Sequence, residues 1–134
     1  MTTPPTGLNH VAMSVAPGTL TDAYCDELLS FYGDAFGWRS MDAYRLPDRL
    51  AVSTSRHTYV NIRERDDVMT THGYEHFGIV MASPGAVEAL WHRLAADGRD
   101  LNLEPLNKGD DGYRSFRFRY LLPLAVEVMG FPPG

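Results

Sequence analysis

The sequence predicts an α+β protein made of two βαβββ modules, residues 6–66 and residues 73–131, within one domain spanning residues 1–134. Two stretches carry this prediction, TGLNHVAMSV (6–15) and YEHFGIVM (74–81). Each reads as an apolar strand with one histidine, and each is followed by a segment with helical spacing. His10 and His76 are separated by about half of the 134 residues, so the second half repeats the organisation of the first.

The first module continues with a helix and three short strands. The helix is expected to begin after APGTLT, with Thr19 as its cap and Asp22 three positions later. Gly37 stands where a left-handed residue would end it. The apolar stripe between them consists of Tyr24, Leu28, Phe31, Tyr32 and Ala35. Three partly alternating runs then predict an antiparallel meander: WRSMDAYRL, RLAVSTS and HTYVNIRE.

The second module repeats this order. Ser83 and Pro84 form a typical helix start, a capping residue followed by proline at the first helical position. Gly98 is expected to end this helix. Its apolar stripe consists of Val87, Leu90, Trp91 and Leu94. Further strands are predicted in LNLEPL, GYRSFRFRYL and PLAVEVMGF.

Composition narrows the class of protein. Hydrophobic residues make up 44% of the chain, which is typical of a globular domain and excludes disorder. The net charge of −5 is scattered, whereas a nucleic-acid partner would favour a basic stripe. No apolar run approaches the roughly 20 residues that span a bilayer, and MTTPPTG lacks the features of a secretory signal. With Cys25 as the single cysteine, we expect a cytoplasmic protein with neither a nucleic-acid nor a membrane partner.

Three strands carry one polar residue opposite an apolar face. His10 alternates with Val11 and Met13, His76 with Phe77 and Ile79, and Glu127 with Val126 and Val128. A carboxylate among apolar neighbours is costly to bury unless a cation or strong donors meet it. Two imidazoles and one carboxylate can hold a divalent metal and leave positions open for substrate. The alternatives are hydrogen-bonded core histidines and a solvated glutamate.

Four stretches resemble the vicinal oxygen chelate superfamily, which includes glyoxalase I, extradiol dioxygenases, methylmalonyl-CoA epimerase and bleomycin-resistance proteins. They are LNHVAMSV, LLSFYGDAFGW, YEHFGIVM and FRFRYLLPLAVEV, and together they are spread over nearly the whole chain. The resemblance implies that the paired modules form a half-open mixed β-barrel around a divalent metal (Fe²⁺, Mn²⁺, Zn²⁺ or Ni²⁺). It also implies that His10, His76 and Glu127 are the ligands.

The sequence departs from the family pattern in two places. The loop that holds Pro17–Thr21 is longer than usual. The last hairpin, which in the family turns through Asp-Pro-Asp-Gly, has Tyr120-Leu121-Leu122-Pro123 instead. We expect this apolar corner to pack on a partner or a lid, and it is a candidate contact of a homodimer.

The resemblance also bears on the chemistry. Glyoxalase-type members place a fourth ligand, a glutamate, on the fourth strand of the first module. Here that strand offers Tyr59 and Asn61, and Glu64 is expected to lie beyond its end. A three-ligand site instead resembles that of the ring-cleaving dioxygenases. Candidates for their additional catalytic groups are His57, Tyr59, Tyr113 and Tyr120, although each tyrosine is also an ordinary strand aromatic.

Charged and aromatic side chains are the candidates for binding the substrate. Arg117 and Arg119 alternate with aromatic residues and would grip a carboxylate or enolate if they face the site, or be surface charges if they face water. Phe36 and Trp38 are candidate aromatic walls or core residues. Three functions remain open: a metal-dependent enzyme on a small vicinal-oxygen substrate, a metal-free binding protein that sequesters a small molecule, and an interaction module.

Overall fold

Two units, the first ending at Met69 and the second beginning at Thr70, make up the protein in a computed structural model that describes residues 2–134. Each unit has one long helix and one four-stranded sheet, with the elements in the order βαβββ. The predicted α+β class and the duplicated module are therefore confirmed. Neither helix in residues 2–134 is long and apolar enough to cross a membrane.

The elements of the first unit are β1 (His10–Val15), α1 (Asp22–Phe36), β2 (Arg39–Ser40), a 3-10 turn (Asp42–Tyr44), β3 (Arg49–Ser53) and β4 (Tyr59–Glu64). The strands lie in the order β1-β4-β3-β2, with β1 parallel to β4 and the other pairs antiparallel. The predicted meander is present, but its first run forms only two strand residues because the 3-10 turn follows.

Helix α1 begins two residues later than the sequence predicts. Its cap is Thr21, whose hydroxyl accepts a hydrogen bond from the backbone of Tyr24 at 3.2 Å. The expected cap, Thr19, is wrong because its hydroxyl donates to the carbonyl of Ala16 at 2.6 Å in the preceding turn. Gly37 ends the helix in the left-handed conformation, with φ of 72°, as predicted.

The elements of the second unit are β5 (His76–Val80), α2 (Pro84–Ala95), β6 (Asn107–Lys108), β7 (Arg114–Phe118) and β8 (Ala125–Gly130). This unit has the same topology as the first, in the order β5-β8-β7-β6, with β5 parallel to β8 and the other pairs antiparallel. Helix α2 packs against β7 and β8.

The start of α2 is as predicted and its end is not. Ser83 accepts a hydrogen bond from the backbone of Ala86 at 3.1 Å, and Pro84 is the first helical residue. The helix stops before Gly98 and is capped by Ala96 in a right-handed conformation. Gly98 therefore lies in the following loop, and the expectation that it ends the helix is wrong.

The segment LNLEPL runs beside β7 without forming a strand. The backbone N–H of Arg119 bonds the carbonyl of Leu101 at 2.8 Å, and that of Glu104 bonds the carbonyl of Arg117 at 2.9 Å. Pro105 has no N–H with which to continue the ladder, so only the short β6 forms after it. The strand predicted at this segment is wrong for that reason.

The corner at residues 120–123 is less open than the sequence suggested. Leu121 has a φ of 63°, and the backbone of Leu122 bonds the carbonyl of Tyr120 at 2.7 Å in a tight turn. The side chain of Leu122 is 3% exposed, because it packs within the chain. Tyr120, Leu121 and Pro123 keep partial exposure, whereas Leu122 is not available to a partner.

Candidate metal centre

Strand alternation gives the first sheet a buried face and a polar face. Met13, Val60 and Ile62 are among the side chains on the buried face. His10 lies on the polar face, exposed and in register with Tyr59. The two rings stack with centroids 4.7 Å apart and planes inclined by 12°. This contact fixes the plane of the imidazole and leaves its outer edge accessible.

Asn9 orients the His10 ring. Its amide nitrogen donates to the backbone carbonyl of His57 at 2.6 Å, so its amide oxygen faces Nδ1 of His10, 3.0 Å away. Because an amide oxygen only accepts, Nδ1 carries the hydrogen of this bond. The lone pair of Nε2 is then left for a metal ion, the arrangement typical of metal-binding histidines.

His76 and Glu127 meet on the polar face of the second sheet. Nδ1 of His76 lies 2.6 Å from the carbonyl oxygen of Tyr74, and Nε2 lies 3.1 Å from Oε2 of Glu127. Both side chains are partly shielded, at 22% and 27% exposure. Each ring nitrogen faces an acceptor oxygen, so Nε2 must hold either a hydrogen or a cation there. An imidazole and a carboxylate at this spacing are suitable ligands for a divalent metal.

Two of the three predicted ligands thus lie together in the second unit. Within residues 2–134, no three or more His, Cys, Asp or Glu side chains gather into a group able to hold a metal ion. His10 belongs to the first unit. The complete set of His10, His76 and Glu127 stays a prediction.

The four candidate catalytic residues occupy different environments. Tyr59 contacts His10, as described above. His57 is exposed in the loop before β4, where its carbonyl holds Asn9. The hydroxyl of Tyr113 accepts a hydrogen bond from the side chain of Asn107 at 3.0 Å. Tyr120 is half-buried in the turn after β7.

Arg117 and Arg119 differ in how their charge is met. Arg117 lies in register with Glu127 on the polar face, but its guanidinium binds both carboxylate oxygens of Glu104, each at 3.1 Å. Arg119 donates to two neutral oxygens, the carbonyl of Pro123 at 3.0 Å and the hydroxyl of Thr71 at 3.4 Å. Arg117 is therefore neutralised, whereas Arg119 forms no ion pair within residues 2–134.

Arg119 also lines an open depression of about 650 Å³ in the second unit. The depression lies where β7 ends and β8 begins, and Ala125 on its wall is in register with His76. Glu104 and Asn102 also line the depression. A small molecule bound here would meet the guanidinium of Arg119, which bonds only neutral oxygens, close to the strand that carries His76.

Phe36 and Trp38 pack with the aromatic residues of the first unit. The indole of Trp38 is 5% exposed and stacks on Tyr32, with ring centroids 5.0 Å apart. Phe36 lies 5.5 Å from Trp38 at the end of α1. Both rings therefore pack within the first unit, and their role as walls of a substrate site stays a prediction.

Glu64 is the last residue of β4 rather than lying beyond it, which corrects the expectation from sequence. Its carboxylate accepts a hydrogen bond from the backbone of Leu20 at 2.8 Å. Backbone hydrogen bonds from Gly18 and Leu20 hold the pKa of this carboxyl below its usual range. Glu64 alternates with Val60 and Ile62 on the buried face, so it anchors the loop before α1 and is not a fourth ligand on the polar face.

Sequence reasoning missed the groups that orient the two histidines. Asn9 directly precedes His10, and a polar residue beside a strand histidine was a usable signal. The carbonyl of Tyr74 left no such signal, because every residue has a carbonyl and only the backbone path at the start of β5 aims this one at His76.

Comparison with known proteins relates the chain to others through its structure. No family model and no curated protein matches the sequence. Lactoylglutathione lyase from Agrobacterium tumefaciens is similar in structure, with a TM-score of 0.67 and 21% identity over 96% of each chain.

Two further structures extend the comparison. The fosfomycin resistance protein FosX from Listeria monocytogenes, in complex with Mn(II) and sulfate, has a TM-score of 0.66 and 17% identity, covering 96% of this chain and 93% of FosX. A glyoxalase/bleomycin resistance protein/dioxygenase from Nocardioides has a TM-score of 0.64 and 13% identity, covering 99% of this chain and 88% of the other. Together with the two βαβββ units, these matches show that the chain has the fold of the vicinal oxygen chelate superfamily.

Proposed function

We propose that the protein is a divalent-metal-dependent enzyme that acts on a small substrate with two adjacent oxygens, a catechol or a compound that forms an enolate. The contact between His76 and Glu127 carries this proposal. A catalytic metal needs protein ligands that leave positions open for substrate, and two histidines with one carboxylate meet this need. The proposal assigns His10 as the third ligand.

The hydrogen bonds of both histidines support the same assignment. In each ring Nδ1 faces an oxygen acceptor, the side chain of Asn9 or the carbonyl of Tyr74. A metal ion can bind Nε2 of either ring without disturbing these bonds, because Nδ1 and the plane of the ring stay in place. Such outer hydrogen bonds are the usual support of metal-binding imidazoles.

The register favours a three-ligand site over the four-ligand lyase type. Gly78, two residues after His76, is in register with Glu127, and Ala12, two residues after His10, is in register with Asn61. Asn61 therefore holds the position in the first module that Glu127 holds in the second. Its amide carries no charge and accepts a hydrogen bond from Arg49 at 2.8 Å. We propose dioxygenase-like chemistry for this reason.

When bound, the metal would act as a Lewis acid toward the two substrate oxygens. Tyr59, held against His10, supplies a phenol beside a predicted ligand for hydrogen bonding or proton transfer. Arg119 would hold an enolate oxygen in the depression by a charge-assisted hydrogen bond.

A metal-free binding protein is the second candidate, and one observation favours it. The 3.1 Å contact between Nε2 of His76 and Glu127 is a complete ion pair when the imidazole is protonated, and it then needs no cation. Such a protein would use the depression beside Arg119 to sequester a small molecule. Its affinity would not depend on His10.

Metal analysis separates the two functions. Untagged protein is stripped with a chelator and titrated with Fe²⁺, Mn²⁺, Zn²⁺ and Ni²⁺; Mn²⁺ is included because FosX was crystallised with Mn(II). We expect one ion per chain, with binding lost in His76→Ala and Glu127→Gln. His92→Ala is the matched control, because His92 is exposed on α2. The iron form should then show a new visible absorption band with catechol under anaerobic conditions and consume oxygen when air is admitted.

A different set of results would support the metal-free binding protein instead. Tight binding of an aromatic ligand that survives the chelator and persists in His10→Ala, with no stoichiometric metal, would favour sequestration. A homodimer stays a prediction, and sedimentation velocity of the full chain would test it.

A further inference from the structure

The polar face of the first sheet is ordered in three rows by the strand register. One row holds the predicted ligand His10, a middle row is dominated by small side chains, and a third row holds two arginines. The first row consists of His10, Tyr59, Ser53 and Arg39. The middle row consists of Ala12, Asn61 and Ala51, and the third row consists of Ser14, Arg63 and Arg49.

Arg49 and Arg63 stand directly opposite each other on neighbouring antiparallel strands. Like charges in this position are destabilising, because register partners bring their Cβ atoms to about 5 Å. Neither arginine forms an ion pair with any residue from 2 to 134. Nε of Arg49 donates to the neutral Asn61, its guanidinium lies 5.8 Å from the ring centre of Tyr44, and Arg63 is exposed.

This uncompensated pair stands out in a chain with 17 acidic and 12 basic residues. The strands supply no carboxylate in the row of the two arginines. The bond to Asn61 uses only Nε of Arg49, which leaves both terminal nitrogens for a two-point contact with an oxyanion. A bound anion would remove the repulsion that the sheet otherwise tolerates.

We propose that Arg49 and Arg63 bind the anionic end of the substrate, a carboxylate or a phosphate group, and so define the substrate as an extended anion. This inference rests on the proposed function, in which the two adjacent oxygens of the substrate bind the metal beside His10, in the first row. Alternate residues of a strand are about 6.8 Å apart, so the first and third rows are separated by roughly 13 Å. Ala12 and Ala51 in the middle row leave space between the two ends.

A matched pair of catechols tests the proposal. We would measure the affinities of 3-(3,4-dihydroxyphenyl)propionate and the neutral 4-ethylcatechol by calorimetry on the metal-loaded protein. We expect the carboxylate to bind at least about tenfold more tightly to the wild type, and this preference to vanish in Arg49→Gln/Arg63→Gln. Arg56→Gln, on the exposed loop between β3 and β4, should keep it. An unchanged preference in the double variant would overturn the inference.

A second measurement works without metal. At low ionic strength, inorganic phosphate or acetate should raise the melting temperature of the chelator-treated wild type and of Arg56→Gln, but not that of Arg63→Gln. Without added anion, Arg63→Gln should melt at a higher temperature than the wild type, because the repulsion with Arg49 is removed. The anion with the larger effect identifies the group as phosphate or carboxylate.

The two measurements separate this inference from the proposed function. If no metal binds but the anions stabilise the wild type and not Arg63→Gln, the anion site stands and the metal-dependent activity fails. If metal binds and neither anion distinguishes Arg63→Gln from the wild type, the metal site stands and the anion site is wrong.

Discussion

Nε2 of His76 lies 3.1 Å from Oε2 of Glu127, and the two residues lie on the parallel strands β5 and β8 of the second unit. The same pairing in the first unit brings His10 against Tyr59. Each of the two modules therefore has a histidine at the equivalent position of its first strand. The neighbour differs: it is Tyr59 for His10 and Glu127 for His76. This difference between the modules underlies the proposed three-ligand chemistry.

Asn9→Ala should weaken metal binding about 10- to 100-fold, because Nδ1 of His10 loses the acceptor that fixes its hydrogen and its ring orientation. Affinity is measured by competition with a chromogenic chelator. His57→Ala is a sharp control, because Asn9 bonds its backbone carbonyl and that group remains after the substitution. Equal affinities for Asn9→Ala and wild type would remove Asn9 from the site.

Thr21→Ala should destabilise the protein by about 1 kcal/mol, because the backbone of Tyr24 loses its capping acceptor at the start of α1. Urea denaturation followed by circular dichroism gives the change in unfolding free energy. Thr21→Ser keeps the hydroxyl and should be close to wild type. A loss of the same size in Thr21→Ser would mean that the methyl group, and not the cap, is responsible.

Gly130→Ala should cost roughly 1–3 kcal/mol through overpacking. A Cβ at this position would lie 2.5 Å from the carbonyl oxygen of Ser83 and 2.8 Å from a methyl carbon of Val87. The strand and the start of α2 would have to move apart. Gly85→Ala, within α2, meets only Ser83 Oγ at 3.8 Å and should be neutral or stabilising. The melting temperature of Gly130→Ala should therefore fall well below that of the wild type, and the melting temperature of Gly85→Ala should stay equal to it or rise.

Glu64 makes the stability of the folded protein depend on pH in the acid range. Backbone donors hold its pKa in the folded protein below the usual range, so the unfolded chain binds a proton more readily. The stabilisation is complete above the ordinary glutamate pKa of about 4.3 and is lost as pH falls through the lowered folded-state pKa. Melting temperatures from pH 7 to pH 3 should fall less steeply below pH 4.5 in Glu64→Gln. Asp110→Asn, on an exposed turn, should follow the wild type.

Much of the fold could be predicted from the sequence because its signals are local. The apolar stripe of α2, the cap at Ser83 and the left-handed end at Gly37 each depend on a few neighbouring residues. The cap at Thr21 was misplaced because two threonines two residues apart offer the same hydroxyl, and only the turn at Ala16 decides between them. The strand expected at LNLEPL does not form because Pro105 has no N–H with which to continue the ladder beside β7.

The candidate site was predictable in part. Alternation along the strand placed His76 and Glu127 on polar faces, but no pattern in the sequence states that β5 pairs with β8 and brings the two side chains into contact. The different roles of Arg117 and Arg119 were also invisible, since one bonds Glu104 and the other bonds neutral oxygens. Which of the two arginines is neutralised depends on where the loop beside β7 places Glu104.

The sequence by itself determined the α+β class, the repeated βαβββ module and the identity of the polar residues that interrupt apolar strands. These follow from periodicity, which each segment carries within itself. The tertiary structure decided the contacts: His76 with Glu127, His10 with Tyr59, and Arg49 opposite Arg63. Strand register sets these contacts, and register depends on pairing between distant segments, which no single segment encodes.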